Sequence, residues 1–358
     1  MPKKAYQKKR ILVLRDILLE HTDEEHSITI DQIVALLREE DLEADKRTIR
    51  EDILMLCEEY GMDITLPEAN CKREYQVLSR EFELQEVKLL MDSIQVSKFL
   101  SKKTTDELTK KLCKLCSKHG ATKLIGQVHR NHVKSDNENI YNSIQLIHEA
   151  IDENNPISFK YMEYLPTKKL QARHNDKEYL VYPIAIVYAE EYYYLLANEI
   201  LDWENLNFHT TKHYRIDHMP TVNFHLLKNL SNIQKNQIRK IENFVVKDIN
   251  LEDYTKQNFS MYGGNVERVT MRFPNYMTGL VIDRFGIDVP IRTVDNEHFE
   301  ITESIAVSPQ FFGWIFSLGT EVKIIEPERV AQRMKDLLKD TYKVYTIPRN
   351  RKKNTESP

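Results

Sequence analysis

The chain has 358 residues, of which 30% are charged, with a formal net charge of −4 and four cysteines. That length holds two or three domains and is ample for a hydrophobic core. The charge balance excludes a wholesale polycation, no apolar run is long enough for a spanning helix, and so few thiols make no disulfide framework. Asp16 and Glu20 interrupt the apolar stretch behind the basic N-terminus, which argues against a signal peptide, and a cytoplasmic address is expected.

Residues 1–80 read as a winged helix-turn-helix. Lys8 to Glu20 place Ile11, Leu14, Ile17 and Leu18 at helical spacing, and Thr29 caps a second helix with Ile30, Ile33, Val34 and Leu37 on one side. The third helix, Asp45 to Tyr60 (DKRTIREDILMLCEEY), starts at an Asp45 cap. It sets Ile49, Ile53, Leu54 and Leu56 opposite a basic first turn of Lys46, Arg47 and Arg50. After Gly61, the runs Ile64 to Leu66 and Tyr75 to Leu78 read as a hairpin with Lys72 and Arg73 near its tip. Lys3, Lys4, Lys8, Lys9 and Arg10 form a basic arm with no acid before Asp16. On the third helix alone, a solvated basic face explains the cations equally well. Hairpin and arm favour the other reading, a recognition helix in the major groove of duplex DNA with wing and arm on phosphates. The candidate DNA-binding residues are Lys46, Arg47, Thr48, Arg50, Lys72, Arg73, Lys8, Lys9 and Arg10.

Residues 81–155 read as a helical bridge, with helices over Glu83 to Leu100, Thr104 to Lys118 and Asn139 to Asn154. Cys113 and Cys116 form a CxxC with His119 close behind, but no second ligand pair stands at a zinc spacing. Leu108, Leu112 and Leu115 mark the segment as an amphipathic helix, so buried reduced thiols are the better reading. His129 and His132 receive the same answer, and neither a metal nor a cofactor is expected.

Pro156 ends the bridge, and the pattern turns to period two. Short strands rich in β-branched and aromatic residues over 156–222 suggest a small closed barrel, since closure removes exposed edges. Ala189–Glu190–Glu191 reads as a turn. In the strand after it, Tyr193 and Leu195 share one face, and Tyr192 and Tyr194 the other. His209, Lys212, Arg215 and His218 follow on the next strands. Rings beside cations suit an anion, a nucleotide or a single strand, while plain barrel packing explains the rings alone. Tyr182, Tyr194, His209, Lys212, Arg215 and His218 are the candidate ligand residues. A linker spans 223–264. Residues 265–347 then run β-α-β-β-α-β-α, the order of a ferredoxin-like split unit with an added helix, and 348–358 read as a disordered tail.

The chain resembles the WYL-domain transcriptional regulators. The resemblance rests on Arg47 to Ile53 (RTIREDI), on Tyr182–Pro183, and on Tyr193–Tyr194–Leu195 at the place of a Trp-Tyr-Leu triplet. Tyr214 to Met219 (YRIDHM) and Phe311 to Pro327 (FFGWIFSLGTEVKIIEP) complete it. Tyr193 replaces the family's Trp, and His218 replaces a second Arg. The implied layout is α+β and multidomain: winged helix-turn-helix, helical linker, Sm- or SH3-like barrel, C-terminal ferredoxin-like extension domain. The implied function is a homodimeric regulator that binds a DNA operator and senses an anionic ligand in its barrel, in some members apparently nucleic acid. The rival is an RNA-binding, single-strand-binding or protein-interaction module. An enzyme is not expected, because no P-loop, GxSxG or HExxH motif is present.

Overall fold

The computed structural model describes residues 3–66, 74–127, 133–202, 207–208, 211–224 and 250–346. The chain divides into two compact units, Met1–Glu138 and Asn139–Pro358. Lys72, Arg73, His209, the VHRNH segment, most of the linker and the C-terminal tail lie outside the described residues.

The first unit opens with α1 (Lys3–His21), α2 (Ile30–Glu39) and α3 (Lys46–Glu58). Both expected caps are present. Thr29 and Gln32 form a reciprocal capping box, and the Asp45 carboxylate accepts the Arg47 and Thr48 N–H groups at 2.9 Å. Leu14, Leu18, Ile33, Leu37, Ile49, Ile53 and Leu56 make a common core. Leu54, expected on that side, is 40% exposed, and Asp52 points inward in its place. The hairpin is β2 (Ile64–Thr65) against β3 (Glu74–Val77), with Ile64 opposite Val77. A third strand, β1 (Ile28–Thr29), pairs with the other edge of β3, giving the order β1-β3-β2. Two residues are too few for periodicity to show such a strand.

The bridge is more broken than expected. After α4 (Leu84–Val96) and α5 (Lys102–Leu112), a 3₁₀ turn at Cys113–Leu115 ends the helix, and α6 (Lys118–Gln127) begins anew. The cause is Ser117, whose hydroxyl accepts the Gly120 N–H at 2.9 Å and so caps a fresh start. Lys134 closes the end of α4, donating to the carbonyls of Ile94, Gln95 and Ser97 at 2.8–3.1 Å. Cys113 and Cys116 are thiols whose pKa burial raises. His119 stacks on His26 with centroids 3.8 Å apart, and no three candidate ligand side chains among the described residues converge on an ion site.

In the second unit, α7 (Ile140–Asp152) packs on a six-stranded antiparallel sheet and does not extend the bridge. Ser143 donates to the Met219 carbonyl and Asn139 to that of Pro220, both at 3.3 Å. The sheet runs β10 (Lys212–Arg215), β8 (Tyr192–Asp202), β7 (Glu178–Ala189), β4 (Ile157–Lys160), β11 (Val222–Phe224), with β9 (Asn207–Phe208) beside β8. A small hairpin, β5 (Met162–Tyr164) with β6 (Leu170–Ala172), stands apart from it. Among the described residues β10 and β11 are the two ends, so the ladder is not a closed ring. The sheet is nonetheless strongly curled. β4 and β10 are three strand spacings apart, about 14 Å if flat; the rings of Phe159 and Tyr214 that they carry meet at 5.2 Å. A register slip at Pro183 supplies part of the bend. The expected turn is present as Glu190–Glu191, both with positive φ, the geometry that suits a two-residue hairpin.

The last part follows β12 (Asn265–Pro274), α9 (Thr278–Phe285), β13 (Ile291–Thr293), β14 (His298–Val307), α10 (Pro309–Ser317), β15 (Lys323–Glu326) and α11 (Glu328–Thr346), preceded by a short α8 (Leu251–Gln257). Its antiparallel order β13-β14-β12-β15 is that of the expected split unit. Val269, Met271, Phe273, Phe299, Ile301 and Ile305 form its core with Phe311, Phe312 and Ile315 of α10.

Candidate functional site

Helix α3 displays its basic first turn because the rest of it is anchored. Ile49, Ile53 and Leu56 are buried. Asp52 is held by Arg10 in a fork, Nε to Oδ2 at 2.6 Å and Nη2 to Oδ1 at 3.1 Å, with both side chains under a tenth exposed. Arg10 was expected on the DNA-binding arm, and this is a correction: it is a core cation whose pKa is raised by its hydrogen bond to Asp52. Nor is the segment a loose arm, since α1 already begins at Lys3. Lys8 and Lys9 lie exposed on that helix, and Lys9 donates to the Glu40 carbonyl at 3.4 Å.

Lys46 pairs with Asp31 at 2.5 Å, and Arg47, 87% exposed, with Glu51 at 3.0 Å. Such surface pairs are weak and exchange easily for a phosphate. Thr48 spends its hydroxyl on the Asp45 cap, at 3.0 Å, so its contribution is to hold the first turn. Arg50 is half-buried and makes no ion pair among the described residues.

On the curled sheet the candidate ligand residues do not form one cluster. Register places Tyr194 directly opposite Arg215, with His213 and Tyr192 on the same face, while Lys212 and Tyr214 point to the other. Arg215 forks onto Asp217, at 2.7 and 3.1 Å, and its guanidinium lies 3.5 Å from the centre of the Tyr192 ring. Burial works against that charge, but the Asp217 carboxylate outweighs it and the pKa is raised. The Tyr194 phenol is pushed up to about 12 by burial, only partly countered by Arg215.

Lys212 serves a different centre. It and Lys177 both bind Glu199, whose side chain is 3% exposed, Lys177 at 2.6 Å. Burial opposes the Glu199 carboxylate, yet the two ammonium groups hold its pKa below the usual value. Beside this clamp Lys177 lies over the Tyr179 ring, which stacks on Phe159 and meets Tyr214 and Tyr161 edge-on. Two ligand assignments are corrected. Tyr182 is 1% exposed and its hydroxyl donates to Asn154, so it is packing. Lys212 is an ion-pair partner on the opposite face from Arg215.

His218 sits against Tyr161, with ring centres 5.4 Å apart, and its Nδ1–H donates to the Met162 carbonyl at 2.8 Å. That bond leaves Nε2 an acceptor in the neutral ring and a donor only in the charged one. His213, which the sequence did not single out, shares the Arg215 face. It contacts the Tyr254 hydroxyl at 2.9 Å, and burial lowers its pKa to about 4. Alternation in KHYR carries that signal. Asp217, two positions from Arg215, was legible as its alternative ion-pair partner, and the structure forms that pair. Lys177 and Glu199 had no signal, because register brings them together.

Residues 265–342 match the WCX domain family. The chain matches none of the curated proteins compared with it. Among solved structures it is similar to proteasome accessory factor B/C (PafBC) of Arthrobacter aurescens, at 13% identity and a TM-score of 0.27, covering 96% of this chain and 49% of that one. It is also similar to a CRISPR Cas-related protein, at 14% identity and a TM-score of 0.37, covering 96% and 81%. The chain thus spans about half the length of PafBC. No helix among the described residues is long and apolar enough to cross a membrane.

Proposed function

We propose that this chain is a sequence-specific, DNA-binding transcriptional regulator of the WYL-domain kind, a homodimer whose curled sheet senses an anionic ligand. The observation that carries the reading is α3. Its first turn is fixed by the Asp45 cap and a buried Arg10–Asp52 pair, and it presents Lys46, Arg47 and Arg50 outward beside a short antiparallel hairpin. The WCX match at 265–342 supports the family part, since that domain is the C-terminal extension of the same layout. The sensor is the face of Tyr194 and Arg215, with His218 beside it through Tyr161. It works by binding, not by catalysis, and no cofactor takes part.

Footprinting on the duplex upstream of the chain's own gene tests the reading. A protected site that disappears in the Arg47→Ala/Arg50→Ala variant is the expected result. Equal affinity for random duplex, or preference for single strands, would favour the rival of an RNA-binding or interaction module.

A further inference from the structure

We propose that the outer face of the C-terminal four-stranded sheet is a second contact for nucleic-acid phosphates, independent of α3 and of the Arg215 face. Alternation puts the apolar residues of β12 and β14 on the inner side, under α9 and α10, and leaves the other side to polar residues. Directly paired residues share a face, so register shows what that side carries. One row crosses all four strands as Arg292, Glu300, Arg272 and Lys323. The next holds Thr302 and Thr270, hydroxyls 2.9 Å apart, with Glu326 beyond; the one after holds Ser304 and Arg268. Four cations therefore stand against two acids.

Glu326 is exposed at the edge strand and Glu300 is already engaged, so the face keeps a net positive charge. Glu300 is only 2% exposed, covered by Arg272 at 2.7 Å and by Arg292, so one carboxylate answers two guanidiniums. Arg268 and Lys323 are exposed and make no ion pair among the described residues, although Arg268 feels the Glu303 carboxylate at longer range. The row is about 14 Å long, which spans several phosphates along one strand. Charge complementarity selects a polyanion. Arginine, lysine and hydroxyl donors with no Phe, Tyr or Trp at these positions select the phosphate backbone, not stacked bases. The contact would add affinity without sequence preference.

The test is salt-dependent binding of the full-length protein to a fluorescent random-sequence oligonucleotide, in single-stranded and duplex arms. Wild type is compared with Arg268→Ala/Lys323→Ala, and the same pair is repeated in the Arg47→Ala/Arg50→Ala background. Losing two phosphate contacts should flatten the plot of log affinity against log salt by about 1.4 on the single strand and about 1.8 on the duplex. If only one arm flattens, that arm identifies the form bound. The melting temperature should stay put, because neither side chain is buried or paired, and Arg268→Lys/Lys323→Arg should keep the slope. An unchanged slope in both arms overturns the proposal, as does a change seen only where Arg47 and Arg50 are intact. Poly-glutamate bound as tightly as the oligonucleotides, with the same loss in the variant, also overturns it and points to an acidic protein partner. Loss of the operator footprint in Arg47→Ala/Arg50→Ala reports on α3 alone, so the two readings fail separately.

Discussion

At the scale of single residues, the ionic groups that looked most available are those the structure uses hardest. Arg10 and Asp52 tie α1 to α3, the helix that carries the candidate DNA-reading side chains. Removing one partner of a buried pair strands the other, so Arg10→Ala should destabilise the first unit by about 3–5 kcal/mol in urea melts. Arg10→Met/Asp52→Leu should recover most of that loss. If the single variant melts like wild type, the pair does not hold the helix. Glu199 makes a pH prediction for the second unit. Its folded pKa lies below the unfolded one, so its stabilisation is complete above the ordinary carboxylate range and is lost as pH falls through the folded value. Melting temperature should therefore fall on acidification, and fall less in Glu199→Gln. Parallel curves for the two proteins would refute the assignment.

At the scale of elements, α10 shows how a helix sorts a crowded sequence. Phe311, Phe312, Trp314 and Phe316 put four rings in six residues, more than one stripe can bury, so the sequence by itself leaves some of them for a partner to cover. The structure buries Phe311 and Phe312 and packs Trp314 on the same core, leaving Phe316 62% exposed. Phe311→Ala should cost about 3–5 kcal/mol by denaturant unfolding. Phe316→Ala should change stability by no more than about 0.5 kcal/mol. Similar losses for both would mean that Phe316 is covered in solution. The α3 element leads to a binding prediction. If Arg47 or Arg50 reads guanine by a two-pronged contact, its loss to Ala should weaken specific binding by about 1–3 kcal/mol and relax one operator position. Unchanged affinity with intact circular dichroism would remove α3 from the interface.

For the whole molecule, dimerisation is the remaining expectation. A lone winged module makes few contacts with DNA, and two half-sites are the usual remedy. Exposed apolar surface that a partner could cover lies on α11, where Leu337, Leu338, Tyr342 and Tyr345 are 40–85% exposed on one long helix. Light scattering at micromolar concentration should report twice the 42.4 kDa chain mass, and Leu337→Lys/Leu338→Lys should halve it. A monomer at that concentration contradicts the dimer.

Sequence alone determined whatever rests on local chemistry. The Thr29 and Asp45 caps, the apolar stripes of α1 to α3 apart from Leu54, the Glu190–Glu191 turn and the order of elements from β12 to α11 were all legible. Each depends on residues within a few positions of one another. Tertiary structure decided the rest. Whether Arg10 meets DNA or Asp52 depends on a partner forty-two positions away, and Glu199 gathers Lys177 and Lys212 from twenty-two and thirteen positions away. Tyr182 and Tyr194 both read as ring-bearing strand residues; the fold buried one, and strand register set the other opposite Arg215. Composition and periodicity specify which side chains want water or a core. Only the register and curvature of the folded sheet choose which charges meet, because that choice is a distance between residues far apart in the chain.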